Sequence, residues 1–205
     1  MSVAQEIDRV APGISIWQVY DPAVKADLFS SAVETPAGTY LIDPVGLENQ
    51  AVNSLEAGAQ IGGIVITNEN HQRAARHFAE RFTVPVCLSA VLTPTLGLPD
   101  PIALEDNGTI APGLTTLAIV GAPLGEIALY YGADGGTMII GDALINFEPY
   151  GFALLPAKYC RDSKLMRRSL PRLLDYPFER MLFAHGTPIL SGAHARLEQL
   201  LASSR

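Results

Sequence analysis

One stretch restricts the fold more than any other: Ile61–Ile66 and the sixteen residues that follow it, IGGIVI-TNENHQRAARHFAERF. Six apolar or glycine residues with three isoleucines and a valine read as a strand buried on both faces. Residues 72–82 repeat their apolar positions at helical spacing. A second short apolar run occupies residues 84–88. A strand, a helix and a strand in that order require a crossover and therefore local parallel pairing. Between the first strand and the helix lie Thr67, Asn68, Glu69, Asn70 and His71. Polar groups at the C-terminal end of a buried strand are where α/β proteins commonly build their sites.

The segments on either side read differently. Residues 14–21 alternate apolar and polar, and residues 27–35 and 39–43 form two further strands around the turn Pro36-Ala37-Gly38. Three antiparallel strands are therefore expected first, closed by Asp43, Pro44 and Gly46, with a helix over 48–58 stopped by Gly58. After a Pro- and Gly-rich loop at 94–101, residues 114–120, 126–131 and 137–141 predict three more strands, with Asp134-Gly135-Gly136 as a hairpin turn. Residues 142–158 show no period and read as a long surface loop. Residues 163–176 read as a helix kinked or split by Pro171, 181–184 as a buried strand, and 192–203 as the last helix, with Ala193, Leu197, Leu200 and Leu201 inward. No flexible linker interrupts the chain, so residues 1–205 are expected to form one domain.

Composition excludes several classes. With 205 residues, 48% hydrophobic and 17% charged, the chain can bury a sizeable core. No apolar run is long enough to span a bilayer, and residues 1–10 lack the apolar segment of a secretory signal. Cys87 and Cys160 form no metal-type or redox-type pair, which points to a reduced, cytoplasmic setting. A net charge of -7 argues against a nucleic-acid partner. The one basic cluster, Lys158, Arg161, Lys164, Arg167 and Arg168, reads first as a solvated helix face and second as an anion-binding rim.

At this point the residues carry a resemblance. TYLIDPVG, IVITNENHQRAARHFAERFTVPV, GEIALYY, MIIGDALI and FAHGTPILSGAHARLEQLL occur in the order and at the distances of the metallo-β-lactamase superfamily, which includes the glyoxalase II-like metallohydrolases. The resemblance covers nearly the whole chain. It implies an α/β (α+β) protein folded as a four-layer αββα sandwich, with zinc, iron or manganese held by a His-x-His-x-Asp-His motif. On this sequence the motif positions are Asn68, Asn70, Gln72 and Arg73, and the ligand of a later Gly-His-x-x-Gly turn falls on Ala122. Only Asp142, the bridging carboxylate, and His185, the last histidine, keep the ligand type.

The chemistry of those replacements argues against the family's two-ion centre. Catalytic zinc takes at least three protein ligands, and neutral amide oxygens are poor substitutes for imidazole. Arg73 puts a permanent cation where the last histidine of the motif would stand. The expectation is therefore that no metal is held and that Arg73 takes the ion's electrostatic place in an ion pair with Asp142. His71 is one position from any ligand slot and is expected on the surface, as is His77, while His194 belongs to the last helix. Cys87 is expected in the core, and Cys160 lies among basic residues that would lower its pKa.

Three readings follow. The first is a binding or interaction protein with a degenerate metal site, its partner a small molecule or a protein. The second is an atypical hydrolase using Asp142 and His185, with one weakly held ion or none, His185 as base and Arg73 binding an anionic group. The third is a subunit whose fold serves homo-oligomer contact.

Overall fold

The first sheet has seven strands laid side by side in chain order: β1 (Asp8–Ala11), β2 (Ile14–Asp21), β3 (Ala26–Thr35), β4 (Gly38–Ile42), β5 (Ile61–Ile66), β6 (Val86–Ser89) and β7 (Ile102–Leu104). The computed structural model describes residues 3–58, 60–98 and 100–203; Pro99, in the expected loop at 94–101, and Met1 and Ser2 lie outside them. β1 to β4 run antiparallel, and β4 to β7 pair parallel. The parallel half exists because α1 (Asn49–Gly58), α2 (Ala75–Phe82) and the 3-10 turn Ala90–Leu92 with its following loop supply the three crossovers. The expected opening of three strands is thus four, with β1 as an added edge.

The second sheet has the order β14-β11-β10-β9-β8, built from β8 (Thr109–Ala111), β9 (Leu114–Ala118), β10 (Ile127–Tyr131), β11 (Thr137–Ile140) and β14 (Arg180–Phe183). β11 and β14 pair in parallel, so Asp142 and His185 leave the same end of neighbouring strands. The expected surface loop at 142–158 contains a hairpin instead, β12 (Leu144–Phe147) with β13 (Gly151–Leu154). Pro171 ends α3 (Ser163–Ser169) in a 3-10 turn, Leu170–Asp175, and α4 (Ala193–Ser203) closes the described chain.

Period-two alternation sorts the core into three layers. Ile64 and Ile66 face Val52 of α1 and Phe78 of α2, while Val65 between them faces the other sheet, with Ile42, Ile127, Leu129 and Leu182. On the outer face of the second sheet, Leu117, Ala128 and Met138 pack on Met166, Leu170 and Leu197. The result is four layers, helix–sheet–sheet–helix, with Cys87 buried between the sheets as expected. No helix among the described residues is long and apolar enough to cross a membrane.

α2 starts three residues later than its periodicity predicts. Arg73 sits in the left-handed region at φ 36°, which a regular helix cannot include. This break frees residues 67–73 to fold as a turn over the ends of β4 and β5.

Candidate metal centre

Four strand ends converge at one edge of the sandwich: Asp43 after β4, Thr67 after β5, Asp142 after β11 and His185 after β14. The turn Asn68-Glu69-Asn70 folds back on itself, and the His71 N–H donates to the Asn68 carbonyl at 3.1 Å. His71 is carried inward by this turn. It is 2% exposed, not a surface residue, which corrects the reading from spacing. The Asn-Glu-Asn turn chemistry before it was the available signal, since such residues reverse the chain.

Asp43, itself at φ 48°, organises the turn. Its Oδ1 accepts the Thr67 N–H at 2.8 Å, and its Oδ2 accepts the Thr67 hydroxyl at 2.5 Å and His71 Nδ1–H at 2.8 Å. Two residues of non-glycine type with positive φ, Asp43 and Arg73, flank the same site, and such strain concentrates where geometry is imposed. With its proton on Nδ1, His71 turns Nε2 toward Asp142 and His185. Nε2 lies 3.2 Å from Asp142 Oδ1, off the direction a hydrogen bond requires, and so is a buried nitrogen without a hydrogen-bond partner among the described residues. His185 Nε2 lies 3.2 Å from the same oxygen.

One ligand atom from each of His71, Asp142 and His185 lies within 4.8 Å of the other two. Metal–ligand bonds of about 2.1 Å in tetrahedral array place donors about 3.4 Å apart. The two 3.2 Å separations are close to that. Two imidazoles and a carboxylate form a donor set used by catalytic zinc and by non-haem iron, and a carboxylate behind the ligating imidazole is the usual second partner. The residues therefore fit one divalent ion, for which His71 would be the third ligand that the motif positions lack.

Arg73 does not pair with Asp142. Its guanidinium donates to the carbonyls of Phe29 at 2.5 Å, Asp43 at 3.0 Å and Ala184 at 3.3 Å. It clamps Phe29 within β3 to the residues that follow β4 and β14, and the group beside Asp142 is the His71 imidazole. The Ala184 carbonyl also accepts the Phe29 N–H at 2.9 Å and the Asp43 carbonyl the Ser30 hydroxyl at 2.8 Å, so the guanidinium fork fills their second acceptor positions.

The other motif positions also find new roles. Asn68 Nδ2 donates to Glu126 Oε2 at 2.7 Å and to Asp142 Oδ2 at 3.1 Å, and Asn70 Nδ2 reaches the same Oδ2 at 3.4 Å. These amides present N–H groups to carboxylates, the opposite polarity to a ligand. Gln72 is exposed and Ala122 is buried in the outer core of the second sheet. Glu126 went unnoticed in GEIALYY. It is 3% exposed, and its Oε1 accepts the N–H groups of Asp142 at 2.8 Å and Ala143 at 3.0 Å. A lone carboxylate opening a fully apolar strand was its signal.

Two glycines make room. A Cβ on Gly141 would stand 2.6 Å from Thr67 Oγ1 and 2.8 Å from Glu126 Oε1. One on Gly186, at φ 113°, would stand 2.1 Å from the Asn146 carbonyl oxygen. That contact ties His185 to β12, whose Asn146 N–H donates to the His185 carbonyl at 3.1 Å.

Burial sets the electrostatics. It opposes charge on His71, but Asp43 and then Asp142 outweigh it and push the imidazole up to about 9 in the absence of an ion. Burial raises the Asp142 carboxyl, but the charge of His71 and the close approach of both histidine rings outweigh it and hold it well below the usual range. Glu126 moves up, from burial first and then the Asp142 charge. His185 moves down, because burial and the charges of His71 and Arg73 outweigh Asp142.

Elsewhere, His77 is exposed, and His194 Nε2 lies 3.0 Å from the Leu174 carbonyl. Cys160 is pushed up, not down: burial raises its thiol and outweighs Arg167. Lys164, Arg167 and Arg168 line one groove with Glu198, whereas Lys158 stacks on Tyr159 and Arg161 borders a different cleft.

Residues 7–204 match the family model of the metallo-beta-lactamase superfamily. No curated protein matches the chain. Among solved structures it is similar to the DIM-1 metallo-beta-lactamase at 12% identity and a TM-score of 0.76, over 100% of this chain and 99% of that one. It is also similar to a metallo-beta-lactamase from Pontibacter korlensis, at 18% identity and 0.74 over 96% and 98% of the two chains. A metallo-beta-lactamase family protein from Thermus thermophilus gives 21% identity and 0.68 over 96% and 80%. At these identities the likeness is one of fold.

Proposed function

The chain belongs to the metallo-β-lactamase superfamily, and from that premise we propose that it is a one-ion member holding a divalent metal between His71, Asp142 and His185 for hydrolysis. The observation that carries the reading is the buried, unpartnered Nε2 of His71 beside Asp142, with both histidine nitrogens 3.2 Å from one Asp142 oxygen and all three donors within 4.8 Å of one another. A divalent ion at such a centre supplies Lewis acidity and makes a water nucleophilic near neutral pH.

The protein's own groups have distinct tasks. Asp43 fixes the His71 ring and keeps its proton on Nδ1, so that Nε2 presents a lone pair. Thr67 holds Asp43 in turn through two bonds. His185 is the ligand nearest solvent, with its side chain 20% exposed, and the exposed Asn70 reaches Asp142 from the rim. A substrate therefore approaches from the side of His185 and Asn70, while His71 and Asp142 form the dry floor. The Arg73 cation beneath Asp43 and Asp142 offsets part of their charge, which leaves the centre suited to a divalent ion plus a neutral or anionic substrate group.

A second reading keeps the fold and drops the catalysis: a binding or interaction protein with a degenerate site. It is favoured by the loss of ligand chemistry at Asn68, Asn70, Gln72, Arg73 and Ala122. A cavity of about 540 Å³ beside Arg73, walled by Val19, Tyr20, Leu28 and Val45, would take its small-molecule ligand. One experiment separates the two. Metal-stripped protein is reloaded stepwise with zinc or manganese and assayed on a panel of activated esters, thioesters and lactams. The one-ion reading expects a rate that rises in proportion to occupancy and vanishes in His185→Ala. A rate that is the same in His185→Ala as in the wild type at every loading favours the binding protein.

A further inference from the structure

Glu126 is the one buried carboxylate at the site that faces neither histidine, and its partners are all donors. Oε1 takes two backbone N–H groups in succession, from Asp142 and Ala143, and Oε2 takes one N–H of the Asn68 amide. The other N–H of that amide goes to Asp142 Oδ2, and the Asn68 carbonyl oxygen is spent on the Asn70 N–H at 2.9 Å. The bonds close a ring: Glu126 grips the Asp142 main chain directly and the Asp142 side chain through Asn68. With Oδ2 covered by Asn68 and Asn70, only Oδ1 faces His71 and His185.

We propose that Glu126 is a positioning residue for the metal centre. Acting through Asn68 and the Asp142 peptide, it turns Asp142 to offer one oxygen to one ion. This rests on the one-ion reading above and adds what sets its geometry. An ionised carboxylate meets all three donors without conflict, which partly offsets the burial and the Asp142 charge that push it up, whereas a glutamine must aim its NH2 at one of them. The fit leaves no slack, since even a methyl group on Gly141 would come within 3.0 Å of both Glu126 oxygens. The same ring closes the side of Asp142 on which a second ion would sit, because Asn68 and Asn70 there present hydrogens instead of lone pairs.

The test is cobalt(II) binding by metal-stripped protein, followed through its visible absorption, in wild type, Glu126→Gln, Asn68→Ala and the double variant. Thermal melts check that each folds. Glu126→Gln is expected to weaken cobalt about 10- to 100-fold, the usual cost of losing an outer-shell partner, and to change the band shape as Asp142 turns. Because both residues act on Asp142 through one ring, the double variant should bind no more weakly than the worse single one. A Glu126→Gln affinity within twofold of wild type, or losses that simply add in the double variant, would overturn the proposal while leaving the one-ion reading intact. A wild type that binds no cobalt would overturn both. If Glu126→Gln does not fold, Asn68→Ala decides alone, since it cuts the same ring and leaves Glu126 on its two backbone donors: unchanged affinity and band shape there refute the positioning role.

Discussion

Asp43→Asn is the substitution whose outcome the geometry fixes most closely. The asparagine is nearly isosteric and keeps one acceptor oxygen for the Thr67 N–H. It loses the charge that receives the Thr67 hydroxyl and His71 Nδ1–H. Hydrogen bonds to a charged partner contribute roughly 1.5–3 kcal/mol each, so the combined loss should be about 3–6 kcal/mol in chelator-treated protein near pH 6.5. For a chain of this size each kcal/mol moves Tm by roughly 2–4 °C, which puts the shift at about 6–24 °C.

The pH dependence gives a second handle on the same variant. His71 is raised from 6.5 to about 9, so its contribution, roughly 3 kcal/mol, is fully present below pH 6.5 and lost as pH rises through 9. Asp43 is lowered below its ordinary 3.8, so its contribution is present above that value and lost as pH falls through the folded pKa. The gap in stability between wild type and Asp43→Asn should therefore be widest near pH 5–6.5 and shrink toward pH 10. Urea titrations at several pH values measure it. A loss below about 1 kcal/mol, or a gap that stays constant from pH 6.5 to 10, would refute the Asp43–Thr67–His71 argument.

Gly141→Ala should cost about 1–3 kcal/mol in urea denaturation, because its methyl group overlaps Thr67 Oγ1 and Glu126 Oε1, and it should weaken cobalt binding as well. Arg73→Met removes the donors to three backbone carbonyls and should lower Tm by roughly 4–15 °C. It should leave cobalt affinity unchanged or a few-fold tighter, since a cation is taken from beside the ion; a collapse of affinity would mean that Arg73 supports Asp142 after all.

The layers were legible because they rest on periodicity. Ile61–Ile66, the alternation of β2 and the break at Pro171 each state their structure locally, and the convergence of Asp142 with His185 follows from two adjacent parallel strands. What sequence could not give was direction at the site. Arg73 stands where the family's last motif histidine would converge with the bridging carboxylate, Asp142, so an ion pair between them was reasonable until the left-handed backbone at Arg73 aimed the guanidinium at carbonyls instead. His71 looked misplaced because ligand slots were counted along an extended motif, whereas a tight turn at Asn68-Glu69-Asn70 returns it to the strand end. The hairpin of β12 and β13 was hidden for a similar reason. Its strands are four residues each, too short for alternation to stand out, and its Asn146 is tied to His185 and Gly186, residues distant in the chain.

The central claim is that one ion sits between His71, Asp142 and His185, and metal content tests it most directly. Wild type, His71→Ala and His185→Ala, purified without added metal, would be analysed for zinc, iron and manganese. The account predicts one metal per wild-type chain and a loss of most of it in both variants. A wild type without metal, one with two ions per chain, or a His71→Ala variant that keeps its full complement would contradict it.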